Sequence, residues 1–276
     1  LYRVIEKTLP FTWVNYNFMK NAFIAILIIT PLFGLMGTMI VNNRMAFFSD
    51  ALGHSALTGV AIGVLLGVQD TNLSMVLFAI VFSILLNWIK SSNTLSTDTI
   101  ISVFASFSMA IGLAILSKGG NFSKYSNLLV GDILSINEKE ILYLLVIFII
   151  TISFWLLCFN QLHAMSISET LARNKKIKTR FIDYLFVIIV ALIVMLSIKW
   201  VGVLIINALL ILPAASSRNI SVNMREYHLF SILISVFSGM VGLLLSFYIN
   251  IATGPTIVLV ASLFFFLTYL GKGVFK

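Results

Sequence analysis

Apolar residues dominate nine stretches of this chain, at 20–41, 46–68, 72–89, 98–117, 139–159, 180–198, 200–217, 228–249 and 255–272. The hydrocarbon core of a bilayer takes about 20 helical residues, so the pattern predicts eight or nine membrane-spanning helices. The stretch 200–217 is the weakest, because Pro213 and the run Ser216, Ser217, Arg218 cut its apolar core to about a dozen residues, a length suited to a re-entrant or buried helix. Residues 1–19 break the pattern. They mix Arg3, Glu6 and Lys7 with Leu9, Phe11, Trp13, Tyr16 and Phe18, which suits an interfacial N-terminal arm ahead of a transmembrane domain over 20–276.

Composition agrees with that division. Of 276 residues, 60% are hydrophobic and 10% charged, against roughly 25% charged in an ordinary soluble domain. The chain therefore reads as an all-α polytopic membrane protein with the lipid bilayer as its surroundings. The net charge of +8 falls in loops, where it orients spans and does not build a nucleic-acid surface. One strongly basic loop, 160–179, carries Arg173, Lys175, Lys176 and Lys178, and short basic loops stay cytoplasmic. With nine spans, this frame puts Arg44, Lys90, Arg218 and Arg225 inside, and Asp70 and the polar segment 118–138 outside. The single cysteine, Cys158, lies in an apolar run; it supports neither an intrachain disulfide framework nor a thiolate metal cluster.

Ionisable residues at membrane depth are expensive and face a cavity or a partner. The sharpest pair is Asp50 and His54, spaced i, i+4 so that both project from one face of a helix. Oxygen with nitrogen suits Mn²⁺, Zn²⁺ or Fe²⁺ and makes a poor cage for Na⁺ or K⁺. Two ligands are too few for a closed site, whereas two copies of the chain across a twofold axis supply four. The same spacing also suits an ion pair that holds helices together, or a proton relay, and spacing alone leaves the three readings open. Gly53, Gly59, Gly63 and Gly67 follow in the same region and allow close helix approach.

No His-Glu-x-x-His, Gly-x-Ser-x-Gly or phosphate-loop motif occurs. The expectation is a transport subunit and not an enzyme, with no catalytic residue and no permanently bound cofactor. His163 and His228 fall at predicted cytoplasmic ends, in interfacial roles. In the basic loop, Ser166 or Ser168 caps a short helix with Glu169 in its first turn and basic residues at its end. Met165, Ile167 and Leu171 would then need a partner, such as a soluble subunit docked there; a solvated basic connector is the alternative. In the outer segment, Leu128, Leu129 and Val130 either dip into the mouth as a gate or pack as a surface helix.

Several segments in register carry a resemblance. Ser49-Asp50-Ala51-Leu52-Gly53-His54-Ser55-Ala56-Leu57-Thr58-Gly59-Val60-Ala61 resembles the pattern Gly-Asp-Ala-Leu-Ser-His-Ala-x-x-Pro-Gly-Val-Ala of the ABC-3 type permeases, the membrane subunits of zinc and manganese ABC importers. Gly131-Asp132-Ile133-Leu134, the run Val201 to Ala215 with its Val-Gly-Val-Leu start and Leu-Pro-Ala-Ala end, and Gly254-Pro255-Thr256-Ile257-Val258-Leu259 are similar to further family segments in the same order. The resemblance implies a type II ABC importer permease in the plasma membrane of a prokaryote, passing Mn²⁺ or Zn²⁺. Its implied partners are a second permease copy, a homodimer or a pair of related permeases, an ATP-binding cassette subunit inside and an extracytoplasmic metal-binding protein outside.

By position, the resemblance makes Asp50 and His54 metal ligands and the segment near 165–175 a coupling helix seated on the ATPase, with Met165, Ile167, Glu169, Leu171 and Arg173 at the contact. Asp132 and Asn207 are candidates for the pathway or its gate. Thr58 stands where the family has Pro, Asn207 where small or hydroxylated residues are common, and Asn250 at a position often acidic. An ion-gradient-coupled secondary transporter with Asp50 and His54 as a proton-coupled pair is the competing reading.

Overall fold

The computed structural model describes residues 12–68, 70–92, 96–118 and 122–272. Among them there are only helices and connectors. After a 3-10 turn at Thr12–Asn15 come α1 (Asn17–Asn42), α2 (Ala46–Leu65), α3 (Thr71–Ser92), α4 (Thr97–Lys118), the one-turn pieces α5 (Phe122–Tyr125) and α6 (Asn127–Val130), and a second 3-10 turn at Ile133–Ser135. The chain continues through α7 (Glu138–Ile167), α8 (Glu169–Asn174), α9 (Thr179–Val201), α10 (Val203–Ile220), α11 (Met224–Ile249) and α12 (Thr253–Leu270). Eight of these are long and apolar enough to cross a membrane. The ninth apolar stretch forms α10, a shorter helix whose apolar part is Ile205–Ile220.

The helix α10 lies inside the bundle. It packs on α1, α2, α11 and α12, and most of its residues are buried. Its length is explained by this position, since a helix wrapped in protein has its backbone satisfied internally without spanning the whole hydrocarbon. Pro213 lies inside it. Small residues make the contacts close. An added Cβ at Gly37 of α1 would lie 1.9 Å from the carbonyl oxygen of Leu210, and one at Gly34 would lie 2.7 Å from that of Ser231. Ser231 and Ser235 of α11 donate to the carbonyls of Gly34 and Thr30 at 2.6 and 2.7 Å. Such contacts replace the hydrophobic drive that lipid does not supply between helices.

Residues 1–11 of the expected N-terminal arm lie outside the described residues. Of its remainder, Trp13 and Val14 are buried, with the Trp13 ring 5.2 Å from Phe23, while Tyr16 and Phe18 are exposed. The glycines of α2 are contact positions: an added Cβ at Gly59 would meet Phe78 and Met75, and one at Gly63 would meet Ser74, whereas Gly67, beyond the end of the helix, has φ +70° with open space around it.

At the start of α7, Asn137 and Glu140 form a reciprocal capping box. The buried carboxylate of Glu140 also pairs with Lys199 and accepts from Trp200 Nε1 at 3.2 Å, tying α7 to α9. Glu140→Leu is expected to destabilise the protein by about 2 kcal/mol, in the range for hydrogen bonds to charged groups; Lys199, 42% exposed, regains water. Thermal unfolding in detergent checks this, and an unchanged midpoint would refute it.

Candidate functional site

The helix α2 is enclosed by α3, α4, α9 and α10, and nearly every residue from Phe48 to Ala61 is buried. The exceptions lie on one stripe. Phe47 is exposed, and the side chains of Asp50 and His54 keep 40% and 26% of their surface. Further along, the stripe closes where α4 crosses: Thr58 Oγ1 donates to the carbonyl of Ser108, accepts from Ser108 Oγ at 3.2 Å, and would sit 2.6 Å from a Cβ on Gly112. The hydroxyl at position 58 is thus used in holding α4.

Within the open part of the stripe, His54 Nε2 stands 3.6 Å from Asp50 Oδ1. The i, i+4 spacing does bring oxygen and nitrogen to one place. No third His, Cys, Asp or Glu joins them among the described residues. His54 Nδ1 is buried and has no hydrogen-bond partner, so the ring is placed by packing and by its Asp50 neighbour. Chemically, the pair can give a divalent ion one oxygen and one nitrogen ligand from a face that stays open, which is half of a four-ligand set.

The adjoining face of α2 is seated on α10. Ser49 Oγ donates to Asn207 Oδ1 at 2.5 Å, and an added Cβ at Gly53 would lie 3.3 Å from Val203 Cγ1 and 3.4 Å from its carbonyl oxygen. Asn207 is therefore the group that holds the turn of α2 next to Asp50.

Asp132 lies elsewhere. It caps the 3-10 turn by accepting from Leu134 N at 3.0 Å, and it lines a cavity of about 690 Å³ with Asp70, Lys124, Tyr125, Asn127 and Lys199. The two motifs bearing Gly131 and Gly202 meet there: an added Cβ at Gly131 would be 2.3 Å from Gly202 N, and one at Gly202 would be 2.2 Å from the carbonyl oxygen of Val130. Both glycines have positive φ, +71° and +91°.

The segment read as a coupling helix divides into two parts. Met165 and Ile167 belong to the end of α7, which continues to Ile167; Met165 is half-buried against the core and Ile167 is 77% exposed. Of the two candidate caps, Ser168 is the extended residue between α7 and α8. The side chains of Glu169, Leu171 and Arg173 on α8 lie outside the described residues.

Sequence reading missed one cluster. His163 of α7 and His228 of α11 meet at 3.1 Å, Nε2 to Nε2, and His228 Nδ1 stands 2.7 Å from Thr38 Oγ1 of α1. Nothing in spacing across 65 residues signals this contact.

A bundle with eight helices long and apolar enough to cross a membrane, carrying the open Asp50–His54 pair on α2, defines a multi-pass membrane protein. Residues 15–272 match the ABC 3 transport family, and the chain belongs to it. It is a permease component and not an enzyme. The high-affinity zinc uptake system membrane protein ZnuB of Haemophilus influenzae is 32% identical over 84% of this chain and 89% of its own length. The manganese import system permease protein ScaB of Streptococcus gordonii is 27% identical over 92% of this chain and 91% of its own. Among solved structures, PsaBC from Streptococcus pneumoniae in complex with Fab shares the fold, with a TM-score of 0.80, 24% identity, and coverage of 97% and 94%.

Proposed function

We propose that this chain is the membrane permease of an ATP-driven importer of Mn²⁺ or Zn²⁺, and that Asp50 and His54 bind the ion in transit. The observation that carries the reading is the open stripe on α2: two metal-ligating side chains stay partly exposed on a helix otherwise enclosed. An open pair with half a ligand set calls for a second copy of the chain, and the names of the zinc and manganese relatives support these ions as cargo. In this reading a separate cassette subunit hydrolyses ATP against Ile167 and α8 on the cytoplasmic side. An extracytoplasmic metal-binding protein delivers the ion at the Asp132 end, and the membrane is the plasma membrane of a prokaryote.

The test is uptake of Mn²⁺ and Zn²⁺ into vesicles holding the permease with and without its ATP-binding subunit. Uptake is expected only with the subunit and ATP, and is expected to survive collapse of the proton gradient. Gradient-driven uptake without the subunit would establish the secondary-transport reading instead. A companion prediction concerns docking: Ile167→Glu places a charge on an apolar side chain that is 77% exposed and should release the ATPase on co-purification. Undiminished association and uptake would remove this segment from the interface.

A further inference from the structure

The cluster at His163, His228 and Thr38 has a defined hydrogen-bond direction. Thr38 Oγ1 lies 2.6 Å from the carbonyl oxygen of Leu35, which can only accept, so the single hydroxyl proton goes there. The 2.7 Å contact with His228 is then a hydrogen bond only if Nδ1 of His228 donates. With one proton per ring, His228 Nε2 is bare and accepts from His163 Nε2–H at 3.1 Å. His163 Nδ1 is left bare, buried and without a partner. Aromatic edges hold both rings: Phe159 lies 4.4 Å from His163 at 90°, and Trp155 lies 4.9 Å from His228 at 82°.

The position of this chain of bonds gives it a use. His163 stands one helical turn before Ile167, where α7 ends and α8 follows. The helix α7 packs closely on α1 and α9, whereas α7 and α11 are not a closely packed pair; the two rings bridge them. On the far side, Thr38 is next to Gly37, whose backbone touches the Leu210 carbonyl of α10. Leu210 is three residues from Asn207, which holds Ser49 beside Asp50.

We infer that His163, His228 and Thr38 are positioning residues that carry displacement of the ATPase-docking segment to α10 and so to the Asp50–His54 helix. The inference rests on the proposed docking of the ATPase at Ile167 and α8. A hydrogen-bonded bridge between helices, unlike an apolar contact, resists sliding and keeps its register while both helices move. What travels is a rigid-body shift through contiguous packed groups, and a coupling measurement decides whether it does so.

The experiment compares His163→Leu, His163→Gln and Thr38→Val in the assembled complex, reading ions imported per ATP hydrolysed, ATPase association and Mn²⁺ affinity. His163→Leu removes the donor and should lower ions per ATP by roughly 2- to 30-fold, the span of known coupling effects, with association and affinity unchanged. His163→Gln keeps an N–H donor and should restore the ratio. Thr38→Val keeps volume, removes the acceptor for His228, and should lower the ratio in the same direction; it carries the test if His163→Leu fails to assemble. A wild-type ratio in His163→Leu and Thr38→Val, or equal loss in His163→Gln and His163→Leu, would overturn the inference. If Ile167→Glu leaves the ATPase bound, the docking reading itself fails; if it releases the ATPase while His163→Leu stays coupled, only the link fails.

Discussion

Asp50→Asn is expected to abolish Mn²⁺ and Zn²⁺ uptake while leaving the bundle folded and the ATPase bound. Asn keeps the size of Asp and one acceptor oxygen, exchanges the other oxygen for an NH2 donor and removes the charge, so the variant tests what the carboxylate is for. A carboxylate at membrane depth costs about 2.5–3.5 kcal/mol on insertion scales, and a purely structural contact with His54 would lower that cost only in part. A divalent ion neutralises the carboxylate outright, with the neutral imidazole of His54 giving its lone pair. In the proposed two-copy site, one substitution removes one donor from each side of the shared ion. Even groups behind a ligand control affinity by about 10–100-fold, so loss of the ligand itself should exceed about 100-fold in uptake. His54→Ala should do the same. Both side chains are partly exposed, so neither substitution should unfold the bundle. Wild-type uptake by Asp50→Asn in vesicles with assembled complex would return the pair to a packing role.

The spans were legible because a bilayer leaves few options: a segment that crosses it must be apolar, helical and about 20 residues long. Eight apolar runs became long helices, and Pro213 with its polar followers correctly marked 200–217 as different in kind. The shortest apolar core turned out to be a helix packed on four long ones. Hydropathy alone could not find that, since it does not separate a helix facing lipid from one facing protein. The end of α7 was misjudged by eight residues, Ile167 against 159, for a related reason. Asn160, Gln161 and His163 end the apolar run without ending the helix, because near a membrane surface a helix satisfies its backbone whatever its side chains are.

The candidate site divides along the same line. Asp50 and His54 were visible because i, i+4 spacing is local and survives in any helix. Ser49 with Asn207, 158 residues apart, and His163 with His228 were not, because helix order in a bundle decides them and no periodicity encodes that order. Asn207 could be picked out only as a departure from a family pattern, and its partner supplies the physical account: the amide oxygen takes the proton of the serine beside Asp50.

Gly202→Ala should be severely disruptive, because it combines backbone strain with a backbone clash. The backbone there has φ +91° and ψ 148°, in a region that is essentially restricted to glycine and costs about 1–3 kcal/mol for other residues. Space adds a second penalty. The new Cβ would stand 2.2 Å from the Val130 carbonyl oxygen and 2.8 Å from Gly131 N, and these are backbone atoms that no rotamer change can move. Gly131→Ala meets the same contact from the other side, 2.3 Å from Gly202 N at φ +71°. Displacing this contact shifts the start of α10, and with it Val203 and Asn207, which seat α2. Gly67 is the control, because it has nearly the same φ, +70°, with nothing within 4 Å of an added Cβ. Gly67→Ala should therefore lose only about 1 kcal/mol, for backbone strain without crowding, while Gly202→Ala and Gly131→Ala should fail to accumulate as folded protein or melt far below the parent. Fluorescence-detected size exclusion with thermal ramping separates these outcomes. Equal losses at Gly67 and Gly202 would show that φ alone governs the position and that the meeting of the two motifs contributes nothing.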